Sequence, residues 1–289
     1  MAVVVRNGDG VARDNKTILI TGSTDGLGRR LAERLASRGT HILVHGRDRD
    51  RAEQVSAVIR RAGGAASHYV TDLSSLSEVH GLAETIKRDH ASLDILINNA
   101  GIGVGRHRGE RQMSQDGYEL RFAVNYLSGF LLTRLLLPIM TRRPGSKIIN
   151  VSSAGQERID FGDVMLTHGY DGRRAYCQSK LAQIMFTFDL AQELHASGVT
   201  ANCLHPATYM DTAMVRSDGI RPMTSVDEGA TAVLQLIDNI ESSGKSGVYF
   251  DGMRPSRANG QAYDVTARAR LRALSFQLVS PSAPALGVP

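Results

Sequence analysis

A tyrosine and a lysine four positions apart form a pair that could move a proton. Tyr176 and Lys180 lie in the stretch AYCQSK, within a segment expected to be helical. Their side chains therefore share one face of the helix. An ammonium beside a phenol, whose ordinary pKa is about 10, favours the phenolate and lowers the tyrosine pKa. The pair predicts a proton donor and acceptor that works near neutrality. Because this spacing also arises by chance on solvated helices, the rest of the chain must decide its meaning.

A glycine-rich turn near the amino terminus could hold a phosphate. The apolar strand expected at 16–21 runs into GSTDGLG at 22–28, and a helix follows whose leucines recur every four residues. Glycines let backbone N–H groups approach a pyrophosphate, and the amino end of a helix adds partial positive charge. The spacing G-x-x-x-G-x-G differs from the G-x-G-x-x-G of many dinucleotide folds. A tight turn without a ligand is the alternative reading.

Strands and helices alternate along the chain, and this alternation indicates how the turn and the Tyr–Lys pair are positioned. The expected strands are 16–21, 41–46, 68–70, 93–97, 147–151, 199–204 and 247–250. The expected helices are 27–39, 50–62, 75–89, 115–141, 172–195, 227–240 and 263–277. Short strands that are apolar on both faces predict an α/β fold, a doubly wound parallel sheet of about seven strands with helices on both faces. We expect a flexible leader at 1–15, a single domain at 16–280 and a flexible tail at 281–289.

Bulk composition narrows the class of protein. With 289 residues, of which 42% are hydrophobic, the chain can bury a sizeable core. Cys177 and Cys203 provide neither a disulfide framework nor metal-ligand spacing, so we expect a reducing, cytoplasmic location and no metal. The amino terminus lacks the pattern of a secretory signal, and the apolar stretch 130–140 is too short to span a bilayer. A net charge of +5 could indicate nucleic acid, but scattered arginines without interleaved aromatic residues favour a solvated surface.

Six motifs in a fixed order carry a resemblance to a known family. They are TGSTDGLG at 21–28, Asp72-Leu73, NNAG at 98–101, Asn125, VSS at 151–153, and Tyr176 with Lys180. Through these motifs the chain resembles the short-chain dehydrogenase/reductase family from about residue 17 to residue 251. The segment 124–133 and the long interval before Tyr176 resemble the retinol-dehydrogenase-like branch. The resemblance implies a Rossmann-type sheet that binds a nicotinamide dinucleotide.

The resemblance also implies a role for each member of a catalytic group. Tyr176 would protonate the carbonyl oxygen of the substrate during reduction, and Lys180 would lower the Tyr176 pKa and bind the nicotinamide ribose. Ser153, preferred over Ser152, would hydrogen-bond the substrate oxygen as a preorganised donor. Asn125 would hold a water for proton return. The reaction implied is hydride transfer from the nicotinamide, which the protein orients.

The cofactor contacts follow from the resemblance and from charge. NAD enzymes usually place an acid at the end of the second strand, but here Arg47 occupies that end and the first acid is Asp48. Arg47 can pair with a 2′-phosphate, so NADP(H) is favoured, with NAD(H) as the other option. Asp72 is expected at the adenine amino group. The expected cofactor contacts are Gly22, Ser23, Thr24, Asp25, Gly26, Leu27, Gly28, Arg47, Asp72, Leu73, Asn99, Ala100, Gly101, Tyr176, Lys180, Pro206 and Thr208.

Two segments depart from the family pattern, and a third bears on the substrate. The interval before Tyr176 is long, and its extra residues 156–174 either line a lipophilic pocket, with Phe161, Met165, Leu166 and Tyr170, or form an ordered surface flap. Ala207 follows Pro206 where the family has glycine. The methionines of 209–224 suit an irregular apolar ligand, although simple packing would also explain them.

We therefore expect an NADP(H)-dependent oxidoreductase that interconverts a ketone or aldehyde and an alcohol on a lipophilic small molecule. The alternative is a non-catalytic NAD(P)-binding sensor or interaction protein on the same fold. An epimerase or dehydratase of the extended family is disfavoured by the glycine spacing. We expect a small-molecule carbonyl or alcohol substrate, with no nucleic acid and no integral membrane segment. The resemblance implies a homodimer or homotetramer through the helices at 115–141 and 172–195.

Overall fold

A mostly parallel sheet forms the centre of the molecule. The computed structural model describes residues 16–36, 38–105 and 109–280, so the expected leader and tail lie outside the described residues. Within them the strand order is β3-β2-β1-β4-β5-β6-β7-β8. The strands are β1 (Thr17–Ile20), β2 (His41–Gly46), β3 (Ala65–Val70), β4 (Ile95–Asn98), β5 (Lys147–Val151), β6 (Thr200–His205), β7 (Tyr249–Asp251) and β8 (Arg254–Pro255).

Helices cover both faces of the sheet, which confirms the expected fold class. They are α1 (Gly26–Ala36), α2 (Arg49–Arg61), α3 (Leu76–Asp89), α4 (Ser128–Met140), α5 (Gly172–Glu193), α6 (Ala213–Ser217), α7 (Val226–Ser243) and α8 (Val265–Val279), with a π-helix at Phe122–Leu127 and a 3-10 helix at Gly260–Tyr263. The described sheet has one strand more than expected, because the two-residue β8 pairs antiparallel with β7.

The long helix expected at 115–141 begins later and is not uniform. Met113 and Glu119 form an isolated antiparallel bridge, and Gly117 between them has a φ of +81°. This turn replaces the first helical residues. The helix then runs through the π-helix before it becomes the regular helix α4.

The alternation of side chains along β1 shows how two apolar layers form. Leu19 faces the layer of α3, α4 and α5, whereas Ile18 and Ile20 face the layer of α1, α2 and α7. All three are at most 1% exposed. Successive residues of a strand point to opposite faces, so a strand covered by helices on both sides must be apolar throughout.

The helix α5 is buried nearly along its whole length. Residues 177–191 are all buried, and α8 packs against the same helix. Arg272 of α8 reaches the carboxylate of Asp189 at 3.1 Å, and Ser275 shares a 2.6 Å hydrogen bond with Tyr126 of the π-helix. A partner subunit could contact this face of α5 only after α8 moved away, and the expected homo-oligomer stays a prediction.

One described segment, Phe122–Met140, is long and apolar enough to cross a membrane by length and composition alone. Two-thirds of it (67%) is buried inside the protein. Phe130 lies edge-on to Phe186 of α5, with ring centroids 5.0 Å apart, and to Phe276 of α8 at 5.2 Å. Core packing accounts for the apolar composition of this segment.

The strand order places a crevice at the centre of the sheet. β1 pairs with β2 on one side and with β4 on the other, so the chain changes direction between β1 and β4. In open α/β sheets, ligands bind outside the carboxyl ends of the strands at such a switch point. The motifs of the sequence lie at these ends.

Candidate active site

The glycine turn joins the carboxyl end of β1 to the amino end of α1. Gly22 has a φ of +64°, and a Cβ at this position would lie 2.9 Å from the Cα of Ala100. A Cβ on Gly28 would overlap the Gly22 carbonyl oxygen. The two positions thus require glycine, and the close approach brings the turn against the end of β4.

Asn99, which follows β4, braces the turn from within. The Asn99 side chain donates to the carbonyls of Thr21 at 2.8 Å and Gly22 at 3.2 Å. The Thr21 hydroxyl in turn accepts the N–H groups of Asn99 and Ala100, both at 3.0 Å. Asn99 therefore shapes the turn, and its amide N–H bonds are already used there.

Two of the residues expected to contact a cofactor have their donors engaged internally. The N–H of Gly22 donates to Nδ1 of His45 at 3.1 Å, and the N–H and hydroxyl of Ser23 donate to the carbonyls of His45 and Ile20, both at 2.8 Å. Burial lowers the pKa of His45 to about 4, although the Thr71 backbone and then Asp72 act in the opposite direction. The neutral ring can accept the Gly22 N–H. Gly22 and Ser23 thus build the turn and do not offer these donors to a phosphate.

The amino end of α1 remains directed at the crevice. Gly26 begins α1, and its N–H donates to the Asp25 carboxylate at 2.7 Å. Leu27 is buried beneath it. Thr24 contacts the end of β2, where a Cβ on Gly46 would overlap the Thr24 methyl group. A helix amino end at the carboxyl edge of a parallel sheet fits an anion such as a pyrophosphate.

The end of the second strand carries a positive charge, as contact with a 2′-phosphate would require. Arg47 directly follows β2 and is exposed. The neighbouring acid, Asp48, is the N-cap of α2 and accepts the N–H of Arg51 at 3.1 Å. Because the Asp48 carboxylate caps α2, the exposed Arg47 guanidinium is the charged group at the end of β2 that can meet a ribose or its phosphate.

The third strand places a carboxylate at the far end of the same crevice. Asp72 follows β3 and accepts the N–H of Ser74 at 2.9 Å, while Leu73 is buried. Asp72 is partly exposed. This fits the expected position beside an adenine ring.

Ser153 and Tyr176 meet just beyond the carboxyl end of β5. A hydrogen bond from the Ser153 hydroxyl lowers the pKa of Tyr176, but burial has the larger effect and raises it to about 12. Part of the tyrosine side chain is exposed, whereas its phenol is densely surrounded by protein. Asp218 and Tyr209 act in the same direction as burial. The expected lowering of the Tyr176 pKa below its ordinary value is therefore wrong for this structure.

Lys180 explains why the lowering does not occur. Its Nζ lies 5.8 Å from the centre of the Tyr176 ring and donates to the carbonyl of Val151 and to Oε1 of Gln183, both at 3.0 Å. Lys180 is 5% exposed, and burial lowers its pKa to about 7. Near neutrality the lysine is only partly charged, so it stabilises a phenolate less than an ordinary ammonium would.

Asn125 lies in the π-helix beside this group. Its side chain accepts the N–H of Ile102 at 2.8 Å and donates to the carbonyl of Ile102 at 3.1 Å and to the hydroxyl of Ser179 at 3.0 Å. Single turns of π-helix occur often at functional sites. A Cβ on Gly101 would lie 3.3 Å from the Asn125 oxygen and 3.5 Å from the Lys180 Nζ. The structure therefore brings Gly101, Asn125 and Lys180 together.

The loop after β6 closes the site on the other side. Pro206 is buried and Thr208 is exposed. The Thr208 hydroxyl lies 3.1 Å from Nε2 of His205, whose pKa burial lowers. Tyr209 has a φ of +45° and is 47% exposed. A positive φ on a bulky residue signals strain, which clusters at ligand-binding segments.

The inserted segment 156–174 is an ordered flap attached to the core. Met165 and Leu166 are buried in it, and Phe161 packs beneath Arg270 of α8 at 4.9 Å. The Tyr170 hydroxyl accepts from Arg121 at 2.7 Å and donates to Glu119 at 2.9 Å. Of the two expectations for this segment, the arrangement favours the flap, because its apolar side chains are used in packing.

Two charged groups hold the loop that follows Gly101. Arg121 donates to the carbonyls of Gly103 at 2.9 Å and Val104 at 2.8 Å. Asp218, after α6, accepts the N–H groups of Val104 at 3.0 Å and Gly105 at 2.8 Å. The segment 207–225 thus reaches across the crevice, where the Asp218 carboxylate fastens it to the loop.

Sequence reasoning did not single out these anchors. Glu119 and Arg121 are 1% and 4% exposed, and two opposite charges at the start of an apolar segment were a usable sign of a buried pair. Asp218 offered no such sign, because its partners are backbone amides more than a hundred positions away.

The group assembled at the carboxyl ends of β4 and β5 can carry out proton transfer to an oxygen. Ser153 and Tyr176 present two hydroxyls to one point, and Lys180 lies behind them. The glycine turn, the amino end of α1 and Arg47 form an adjoining cradle in which side chains are excluded from Gly22 and Gly28. These residues fit a dinucleotide.

Comparisons with known proteins agree with this geometry. A model of the short chain dehydrogenase family matches residues 16–221. Retinol dehydrogenase 13 of Homo sapiens is 36% identical over 94% of this chain and 86% of its own length. A putative uncharacterized protein from Mycobacterium paratuberculosis superposes with a TM-score of 0.75 at 28% identity, over 91% of this chain and 93% of its own. A putative short chain dehydrogenase from Escherichia coli CFT073, complexed with NADPH, gives a TM-score of 0.68 at 25% identity, over 83% and 97%.

Proposed function

The chain belongs to the short chain dehydrogenase family, in its retinol-dehydrogenase-like branch, and we propose that it reduces a lipophilic ketone or aldehyde with NADP(H). The coarser activity, oxidoreduction between an alcohol and a carbonyl, follows from the family. The observation that carries the proposal is the convergence of Ser153, Tyr176 and Lys180 at the end of β5. The glycine turn adjoins this group across β4 and β1.

A bound nicotinamide supplies the hydride. The amino end of α1 would hold this cofactor, and Lys180 and Tyr176 would contact its ribose, as the resemblance implies. Arg47 at the end of β2 supports the preference for the 2′-phosphate of NADP(H), because its fork can pair with a phosphate. The complex of the Escherichia coli relative with NADPH agrees with this preference.

The proton comes from the Tyr176 hydroxyl. With a pKa of about 12, this phenol is protonated at neutral pH and can donate to the carbonyl oxygen of the substrate. Ser153 holds the same oxygen with its hydroxyl and stabilises the charge that develops there. Oxidation of an alcohol would use the same group in reverse, with the phenolate as the base that takes the alcohol proton.

Lys180 and Asn125 serve the return of the proton. A lysine with a pKa of about 7 gives and takes a proton readily at neutral pH, as general acid–base chemistry needs. It lies behind Tyr176, and Gly101 leaves the space between Lys180 and Asn125 free of a side chain. We assign to this space the path by which Tyr176 is reprotonated.

The segment 207–225 supports a lipophilic substrate. It spans the crevice without a fully buried residue of its own from 207 to 225, and it displays Tyr209 and Met223, which are 47% and 71% exposed. Exposed apolar side chains beside a catalytic group suit an apolar ligand. The name of the human relative, a retinol dehydrogenase, points to the same class of substrate.

Replacement of Tyr176 by phenylalanine tests the proposal. The variant keeps the ring but loses the proton donor, so we expect NADPH-dependent reduction of apolar ketones and aldehydes to fall about 100-fold or more, with NADPH affinity close to that of the wild type. Tyr263→Phe, at an exposed tyrosine that ends the 3-10 helix, is the matched control and should retain turnover.

Two results would contradict the proposal. Unchanged turnover in Tyr176→Phe would refute the assignment of the proton donor. A wild-type protein that binds NADPH tightly but reduces no carbonyl compound in a broad screen would favour the alternative of a nucleotide sensor.

A further inference from the structure

Two buried glutamines lie on α5, and one of them touches Lys180. Gln183 is 4% exposed and comes one helical turn after the lysine, on the same face. Its Oε1 accepts a hydrogen bond from the Lys180 Nζ at 3.0 Å. None of the six family motifs includes this position.

The environment of Lys180 makes this contact important. An ammonium has three N–H donors, and a buried charge is costly unless its donors are satisfied. Among the described residues, Lys180 donates to two neutral oxygens, those of Val151 and Gln183, and has no ion pair with a carboxylate. Gln183 is thus half of the acceptor set that holds the charged lysine in place.

The groups that face Lys180 from the neighbouring elements are neutral. Tyr176, on the same helix, is protonated at neutral pH. Asn125 faces it from the π-helix and Ser152 from the end of β5, where the Ser152 hydroxyl donates to the Lys180 carbonyl at 2.9 Å. Burial is the cause that lowers the pKa of Lys180. Among the described residues, the hydrogen bond that Lys180 donates to Gln183 therefore has no competing charge beside it.

A chain of hydrogen bonds fixes the turn of α5 that carries Gln183. The Thr187 hydroxyl donates to the Gln183 backbone carbonyl at 2.7 Å and accepts from Asn150 of β5 at 2.8 Å. Asn150 in turn accepts from Asn98 of β4 at 2.8 Å. The sheet thus holds the helix turn in register with the carboxyl ends of its central strands.

We propose that Gln183 is a positioning residue for the reaction, whose amide oxygen holds the Lys180 ammonium charged and in place behind Tyr176. The proposal rests on the proposed function, because it assigns to Gln183 an effect on proton transfer through Lys180. It concerns a residue outside the group formed by Asn125, Ser153, Tyr176 and Lys180.

Two substitutions separate this role from packing. Gln183→Met keeps the length of the side chain but removes the acceptor. Gln183→Glu keeps an oxygen at the same place and adds a negative charge. Gln178→Met is the matched control, because Gln178 is a buried glutamine of the same helix that bonds the flap, through the N–H of Asp160 at 3.1 Å and the carbonyl of Val164 at 2.8 Å.

The titration of Lys180 can be measured directly by NMR of protein labelled with ¹³C at the lysine Cε. The chain has only five lysines, and Lys180→Met identifies the signal. A hydrogen bond to a charged group is worth about 1.5–3 kcal/mol, so Gln183→Met should lower the Lys180 midpoint by about one pH unit or more. Gln183→Glu should raise it by at least a similar amount, and Gln178→Met should leave it in place.

The pH profile of kcat/KM for carbonyl reduction supplies the second readout. The part of the profile whose midpoint reflects the titration of Lys180 should move in the same direction as the NMR midpoint in each Gln183 variant. Near neutrality, Gln183→Glu should retain more activity than Gln183→Met. A Lys180 midpoint that does not move in either variant overturns the control of Lys180 by Gln183. A midpoint that moves while the profile stays fixed overturns the role in the reaction.

The outcomes also separate this proposal from the proposed function. The NMR titration needs no turnover, so it decides the coupling of Gln183 to Lys180 by itself. Absence of turnover in the wild type would refute the reductase, and the role of Gln183 in the reaction with it, whatever the titration shows.

Discussion

Replacement of Lys180 by methionine should remove a pH dependence from the stability of the protein. The pKa of Lys180 is lowered from the ordinary 10.5 to about 7 by burial. In the unfolded chain the lysine keeps its proton up to pH ~10.5, whereas the folded protein releases it near pH 7. Between these values, unfolding takes up close to one proton, and the free energy of unfolding rises with pH at about 1.4 kcal/mol per unit.

The size of the effect follows from the two pKa values. At pH 7 the folded lysine is still about half protonated, so the rise begins gradually and amounts to about 2 kcal/mol between pH 7 and pH 9. Lys180→Met lacks this contribution. Between pH 7 and pH 9 the stability of the variant relative to the wild type should therefore be highest at pH 7 and should fall by about 2 kcal/mol by pH 9. Loss of the hydrogen bonds to Val151 and Gln183 shifts the variant by a constant amount and leaves this slope unchanged.

Urea unfolding at fixed temperature, followed by circular dichroism at half-unit steps of pH, measures the difference. Equal m-values in the two proteins are needed for the comparison. Lys87→Met, which removes a partly exposed lysine of α3 from its pair with Glu84, controls for the loss of a lysine in general. A difference between wild type and Lys180→Met that stays constant from pH 7 to pH 9 would refute the reasoning that Lys180 is buried and largely neutral at alkaline pH.

Two further predictions concern the cofactor and the segment over the crevice. Arg47→Ala should weaken NADPH binding about tenfold or more while NADH binding changes little, because a charged hydrogen bond of about 1.5–3 kcal/mol is lost; titration of both cofactors checks this, and an unchanged affinity ratio would contradict the phosphate contact. Asp218→Ala should release the N–H groups of Val104 and Gly105 and raise KM for the carbonyl substrate more than it lowers kcat. Steady-state kinetics checks this, with Asp211→Ala, which removes only a surface pair with Arg216, as the control.

The strands and the glycine turn could be predicted from the sequence because both depend on local patterns. Apolar runs bounded by glycine and polar residues place the central strands within a few positions of their observed bounds. Glycine stands at positions 22 and 28 because the folded chain has no room for a Cβ there, so the close approach is visible in the sequence as a glycine pattern. Ser153 follows β5 and Tyr176 lies near the start of α5, so topology places both at the same edge of the sheet, whereas the role expected for the pair comes from the family resemblance.

The rest of the site depends on contacts that no local pattern encodes. The pKa of Tyr176 is set by how densely the phenol is enclosed, and this reverses the direction that the spacing of Tyr176 and Lys180 alone indicates. The Ser23 hydroxyl turns inward and donates to the Ile20 carbonyl, a contact that the glycine-rich motif does not indicate. Asp218 accepts hydrogen bonds from backbone N–H groups. Because every residue except proline has such a group, this contact leaves no sign in the sequence.

Transfer of deuterium from NADPH tests the central claim most directly. The wild-type protein is incubated with NADPH deuterated at C4, in separate reactions for the two faces, and with an apolar aldehyde or ketone, and the alcohol product is analysed by mass spectrometry. We predict one deuterium at the carbinol carbon from one of the two labelled cofactors, and no product above background with Tyr176→Phe. An alcohol that carries no label from either cofactor, or label transfer that persists undiminished without the Tyr176 hydroxyl, would contradict hydride transfer assisted by this tyrosine.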